Sequence, residues 1–327
     1  MKTGKISESI LHRSVLKQIK HRRKEVIVKP GVGEDCSYLK LEPDEILVLS
    51  TDPITGTTDQ ISKFAIQITA NDIAAGGAEM IGVMLSILLP EETLESDLRI
   101  LMQQIEAECA LLNIEVLGGH TEVTKAVNQP IITVTGVGKA RKENVVTTKG
   151  LQPGQDIVMT KWAGLEGTAI LAMAKEEELV KRYTKSFIHE AKTFIDYLSI
   201  VPEASLATEY DVTSMHDITE GGVFGALWEM GRASNVGMEI QLKKILLRQE
   251  TVEICEFFDL NPYLLMSSGC LLMGTFRGNE LVSALQDRGI SASIIGRAVK
   301  GNERVVINEE ERRFLEPPKS DELYKVM

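Results

Sequence analysis

Three aspartates stand in surroundings unusual for surface charge. Asp35 lies in the loop Gly31-Val32-Gly33-Glu34-Asp35-Cys36, Asp52 follows the apolar run Ile46-Leu47-Val48-Leu49-Ser50-Thr51, and Asp72 sits inside Ile68-Thr69-Ala70-Asn71-Asp72-Ile73-Ala74-Ala75. An ionised carboxylate embedded in apolar sequence needs a cation, hydrogen-bond donors or a functional pocket, because burying it unpaired is costly. Magnesium is the natural cation: it prefers hard oxygen ligands, keeps several waters, and takes one or two carboxylates together with nucleotide phosphates. Each aspartate alone also reads as a cap or a solvated turn. The three together point to a metal and polyphosphate site.

Glycine pairs supply the complementary half, since backbone without a Cβ lets N–H groups cradle phosphate oxygens. They occur at Gly31 and Gly33, Gly118 and Gly119, Gly164 and Gly167, and Gly221 and Gly222. There is no GxxxxGK[ST] loop, and Gly136-Val137-Gly138 lacks the rest of a dinucleotide fingerprint. In Met215-His216-Asp217-Ile218-Thr219-Glu220-Gly221-Gly222-Val223 the pattern is a strand, a polar turn and a helix start. Thr219 or Glu220 would cap that helix, its N-terminus would favour an anion, and Asp217 would hold metal or a substrate hydroxyl. Asp217 and Thr219 serve equally well as simple caps. His120 and His216 read as packed residues or as catalysts, and the acids beside Cys36 weaken it as a nucleophile.

The elements that must position these groups alternate. A helix is predicted near Ser7 to Arg23, a strand at Ile46 to Asp52, a helix from Ser62 to Gly76-Gly77, a strand at Ile81 to Leu89, a helix from Glu91 to Leu112, a strand at Ile114 to Leu117, a turn at Gly118-Gly119-His120-Thr121, and a strand at Ile131 to Val137. Thr147 to Gly154 is polar and turn-forming, which divides the chain into domains 1–149 and 150–327. The second half repeats the mixture, and its tail after Arg312 shows no periodic core face. The fold class is α+β.

With 327 residues, 43% of them hydrophobic and 25% charged, the chain suits two ordinary domains. A net charge of −11 disfavours nucleic acid, and the basic cluster Lys20 to Lys24 also reads as the cationic end of a helix. No apolar run is long enough for a membrane span or a signal core, so a cytoplasmic protein is expected. Cys36, Cys109, Cys255 and Cys270 lack metal or disulfide spacing.

Taken in order, GVGEDCSYL, LSTDPITG, ITANDIAAGGAEM, LGGHTEVT and MHDITEGGVFGAL resemble the superfamily of aminoimidazole ribonucleotide (AIR) synthetase, thiamine monophosphate kinase, selenophosphate synthetase and the hydrogenase maturation protein HypE. The likeness covers nearly the whole chain and is greatest to the HypE-like, AIR-synthase-related branch. It implies a PurM-like architecture: an N-terminal domain that forms a homodimer, an α+β C-terminal domain, and ATP held with Mg2+ between them. By motif position, Asp35, Asp52 and Asp72 become magnesium and phosphate contacts, Gly118, Gly119, Thr121, Gly221 and Gly222 become nucleotide contacts, and Asp217 lines the substrate side. Relatives carry an acid where this chain has His120. Glu122 then stands in as a metal ligand, and His120 and Asp217 are the catalytic candidates. Glu220 replaces an arginine of HypE-type sequences, and no cysteine follows Cys270 to carry a carbamoyl group.

The resemblance therefore implies an ATP- and Mg2+-dependent enzyme that activates an amide, carboxyl or phosphate oxygen of an unidentified substrate by phosphoryl transfer. A small-molecule kinase and a non-catalytic ATP-binding maturation protein are its alternatives.

Overall fold

The computed structural model describes residues 1–34, 36–55, 60–317 and 320–327, so the expectation for Asp35 lies outside the described residues. The chain separates into two compact units, Met1–Ala74 with Ala78–Val145, and Ala75–Gly77 with Val146–Met327.

Unit 1 is a five-stranded mixed sheet with the order β1-β4-β3-β5-β2, built from β1 (Gly4–Lys5), β2 (Glu45–Thr55), β3 (Glu79–Leu89), β4 (Glu115–Val123) and β5 (Ile131–Arg141). Its helices are α1 (Glu8–Ile10), α2 (Ile61–Ala75) and α3 (Glu95–Leu111). β3 and β4 are parallel, because α3 returns the chain between them, and the other pairs are antiparallel. Strand alternation gives the sheet two different faces. Val83, Leu85, Ile87, Ile132 and Val134 are buried on the inner face, whereas Met84, Ser86, Thr133 and Thr135 project from the outer one. On the inner face α2 lies close to β5 because Gly136 and Gly138 have no side chains. A Cβ on Gly136 would stand 2.6 Å from Thr69 Cγ2, and one on Gly138 would stand 2.5 Å from Ile73 Cγ2. These two glycines have a packing role.

Two local expectations are corrected. The first helix ends early: α1 passes into a π turn (Leu11–Val15) and a 3-10 turn that stops at Gln18. The basic cluster beyond it is neutralised by glutamates instead of a helix dipole, with Arg22 pairing to buried Glu115 at 3.1 Å and Arg23 to Glu25 at 3.0 Å. The Gly118-Gly119 turn is a stretch of strand, for β4 runs unbroken from Glu115 to Val123. Its pairing to β3 slips between Val83↔Val116 and Met84↔Gly118, leaving Leu117 as a bulge.

Unit 2 is a seven-stranded sheet with the order β12-β11-β8-β10-β6-β9-β7. Its strands are β6 (Asp156–Thr160), β7 (Ser214–Ile218), β8 (Gly237–Gln241), β9 (Cys270–Thr275), β10 (Ala292–Val299), β11 (Arg304–Asn308) and β12 (Glu311–Phe314). The helices are α4 (Leu165–Ala174), α5 (Glu176–Leu179), α6 (Lys185–Thr193), α7 (Val201–Ala207), α8 (Gly222–Ser234), α9 (Gln249–Phe258) and α10 (Gly278–Asp287). α4, α6 and α9 share a core of Leu171, Ile188, Ile254 and Leu265, which Leu323 of the tail completes. The tail after Arg312 thus has a core contact. It is made by one 3-10 turn (Glu322–Lys325), too short to show a period. Cys109, Cys255 and Cys270 are free thiols buried in apolar surroundings, and burial pushes Cys255 and Cys270 up to about 12. Among the described residues no helix is long and apolar enough to cross a membrane.

Candidate functional site

Two of the three aspartates meet in unit 1. Alternation along β2 places Ser50 and Asp52 on the inner face, where α2 brings Asp72. The Ser50 hydroxyl donates to Asp72 Oδ2 and lies 3.5 Å from Asp52 Oδ2, so it stands between both carboxylates. Ser50 was missed in the sequence, although its position two residues before Asp52 in a strand is the signal that would have found it.

A cavity of about 580 Å³ opens on the outer side of the same unit. The glycine-bearing loop forms one wall, with Gly31, Gly33 and Cys36, and the sheet forms another, with Ser86, Gly118, His120, Thr133 and Thr135. Ser37 ties the loop down by donating to the Leu117 carbonyl at 2.8 Å. Register explains the hydroxyl lining, since His120, Ser86 and Thr133 lie in one row across β4, β3 and β5. Thr121 alternates to a buried position beside Ile87. Gly119 has φ +148°, and a Cβ there would overlap the Leu85 carbonyl, so only glycine fits.

His120 Nε2 and Glu122 Oε2 are 3.1 Å apart. They belong to β4 and Asp52 belongs to β2, with two strands between them. At the usual strand spacing that is ~14 Å, and the side chains leave opposite faces. In one copy of unit 1 the structure therefore brings Asp52 to Asp72, and His120 to Glu122, as separate groups. Among the described residues no cluster of three or more His, Cys, Asp or Glu side chains is gathered to hold a metal.

In unit 2, Asp217 lies on edge strand β7 opposite Leu271, and its neighbour His216 bonds Glu229 at 2.9 Å. The expected cap from Thr219 or Glu220 is absent: α8 starts after Gly221, in the left-handed region, with no side-chain cap of its own. The Thr219 carbonyl accepts from Gly222 N–H, and the Glu220 carboxylate accepts from the Tyr324 hydroxyl. The cap comes from the tail. Asp321 accepts from Gly221 N–H at 2.8 Å, Leu323 N–H at 2.8 Å and Met266 N–H at 3.2 Å. An internal carboxylate thus sits where the sequence suggested an anion. Gly222, at φ +60°, packs so tightly that a Cβ would fall 2.7 Å from the Tyr263 carbonyl.

Beside this loop, fully buried Glu166 on α4 accepts from Ser268 N–H at 3.3 Å. Burial pushes its carboxyl up to about 7, the Ser268 bonds pull the other way, and the Asp321 and Glu220 charges add to the rise. Burial likewise raises Asp321 against the pull of its three backbone bonds. Neither acid carries a motif that marks it in the sequence.

Residues 33–140 match the model of the AIR synthase related protein N-terminal domain, and residues 152–308 match that of its C-terminal domain. The chain belongs to the AIR synthase related family. Its similar relatives include proteins of the HypE-like branch. The chain is 25% identical over 336 residues to a Methanocaldococcus jannaschii protein ascribed to hydrogenase expression and formation, with 99% of this chain and 97% of that one covered. It is 26% identical over 289 residues to the carbamoyl dehydratase HypE of Rhodobacter capsulatus, covering 84% and 82% respectively. A solved structure of the hydrogenase maturation protein HypE in complex with ATP superposes with a TM-score of 0.82 at 19% identity, covering 98% of this chain and 97% of that one. That likeness carries the fold, the PurM-like α+β architecture expected from the motifs.

Proposed function

We propose that this AIR synthase related protein is an ATP- and Mg2+-dependent enzyme that activates an amide, carboxyl or phosphate oxygen by phosphoryl transfer. The observation that carries the reading is the unit 1 cavity, where the GVGEDC loop closes over the hydroxyl-lined LGGHTEV strand. Distant sequence motifs meet there, and glycine backbone and hydroxyl side chains line the cavity, groups of the kind that suit phosphate oxygens. Relatives named carbamoyl dehydratase, and a HypE structure holding ATP, support the same reading.

Asp52 and Asp72 fit magnesium, which needs only one or two carboxylates when phosphates and waters complete its shell. Bound there, the ion would neutralise polyphosphate charge. Ser50 orients both carboxylates; the glycine loop, Ser86, Thr133 and His120 line the opposite face, so one polyphosphate would meet both groups only where two copies of unit 1 come together. Such positioning and charge stabilisation dominate phosphoryl transfer. Asp35 belongs with the metal set by its motif, whereas Glu122, engaged with His120 on the opposite face, is left out of it. Asp217 is assigned to the substrate side. The exposed apolar side chains Leu47 and Leu49 on β2 favour a second copy as the partner, and the reading places the protein in the cytoplasm.

Calorimetric titration with Mg-ATP tests this. The unaltered protein should bind, and Asp72→Asn should bind at least about tenfold more weakly. Equal affinity in the two proteins overturns the metal assignment, and no binding by the unaltered protein overturns the function.

A further inference from the structure

Unit 2 holds a second cavity, of about 600 Å³, which includes Gly221, a glycine whose N–H is already taken by Asp321. Its size falls within the range of small-molecule sites, roughly 300–1,000 Å³. One wall is an aromatic platform on the first turn of α8: Phe224 and Tyr263 stack with ring centroids 5.2 Å apart and planes 11° from parallel. The end of β11 contributes Val306 and Asn308, and the tail closes the side with Leu315.

The two cations at the rim are each matched by a carboxylate, and Glu316 adds a third acid. Arg313 bonds Glu311 at 2.9 Å and Lys325 pairs with Glu322 at 2.7 Å, so both cations lining the cavity are already answered by carboxylates. That excludes the kind of anion-binding wall that a nucleotide triphosphate needs. Polar groups remain available: among the described residues, neither the Tyr263 hydroxyl nor the Asn308 carboxamide has a hydrogen-bond partner. Tyr263 is half-buried, and burial raises its pKa, keeping the phenol neutral and able to donate.

We propose that this cavity binds an uncharged, flat aromatic molecule, stacked on the Phe224–Tyr263 platform and hydrogen-bonded by the Tyr263 hydroxyl and the Asn308 carboxamide. An apolar floor with a few fixed polar groups is the usual build of such a site. Stacking on a platform already formed in the protein needs no rearrangement of the rings. The site is separate from the unit 1 cavity and does not depend on the nucleotide reading.

Ligand-observed saturation-transfer NMR on the full chain, with indole as the probe and indole-3-acetate as its charged counterpart, tests the proposal. Indole should receive saturation and indole-3-acetate should bind at least tenfold more weakly. Tyr263→Phe keeps the ring and should weaken indole roughly five-fold, the loss of one hydrogen bond; Val306→Trp fills the space and should abolish the signal. Saturating Mg-ATP should leave indole bound. Absence of indole binding, equal binding of the two probes, or displacement by Mg-ATP each overturns the proposal, and displacement does so while leaving the nucleotide site intact. Should Val306→Trp fail to fold, unchanged affinity in Tyr263→Phe is decisive by itself.

Discussion

Asp321 accepts a hydrogen bond from the backbone N–H of Gly221, a residue 100 positions upstream, and so caps α8 from the tail. Three backbone donors depend on that one carboxylate. Asp321→Ala should leave them unsatisfied and lower the unfolding free energy by about 2 kcal/mol. Asp321→Asn retains an acceptor and should lose less. Urea denaturation of both variants checks the order, which reverses if the carboxylate is merely tolerated there.

Ser50→Ala removes the hydroxyl that stands between Asp52 and Asp72 without touching either acid. Groups that orient metal ligands are typically worth 10- to 100-fold in affinity, so Mg-ATP binding should weaken by about tenfold. Calorimetry at fixed magnesium measures it, with nucleotide in the absence of magnesium as the comparison. A variant weakened equally in both titrations would show that Ser50 acts on the fold and not on the metal.

Glu166 couples stability to pH. Its carboxyl is raised from 4.5 to about 7 in the folded protein, so between those values the folded state holds a proton that the unfolded state has released. Stability from this group is full below about 4.5 and is lost as pH rises through about 7. Thermal unfolding midpoints should therefore fall across this window in the unaltered protein. Glu166→Gln, which stays neutral, should flatten that part of the profile; an unchanged slope would locate the proton elsewhere.

Gly138→Ala adds a Cβ 2.5 Å from Ile73 Cγ2, at the closest approach of α2 to the sheet. The helix must move or Ile73 must repack, at about 1–3 kcal/mol. Gly31→Ala is the control, as its Cβ would meet only ordinary contacts, the nearest at 3.5 Å. Comparing the two by denaturation separates crowding from the general effect of adding a methyl group.

The large periodic elements were readable from the sequence. β3, α3 and α8 lie close to their predicted places, because buried stripes such as Leu98, Leu101, Ile105 and Cys109 force a helical period. Motif order carried the family and the fold. What escaped depends on contacts remote in sequence. Gly118-Gly119 reads locally as a turn, and only the neighbouring strand makes it part of the ladder, after the bulge at Leu117. The first helix looked longer because Ile19 and the following basic residues continue its pattern, yet Arg22 and Arg23 are drawn to Glu115 and Glu25. Asp321 and Glu166 carry no local signal at all, since their partners are backbone groups delivered by other elements. The pairing of Asp52 with Asp72 through Ser50 lies between these cases: the acids drew notice, and the hydroxyl joining them did not.

The bulge at Leu117 works like a reading frame for β4. Before it, Val116 shares a row with Val83; after it, Gly118 shares one with Met84. Were Leu117 paired with Met84 instead of bulging, His120 would move into the row of Ile87 and turn inward, and Thr121 would turn outward in its place. Absorbing the bulge into the ladder would thus carry His120 out of the row of Ser86 and Thr133, although every motif residue would still be present, whereas deleting Leu117 outright would leave the pairing of His120 with Ser86 as it is. In this strand, whether Leu117 bulges or pairs decides which side chains of the motif can meet a ligand.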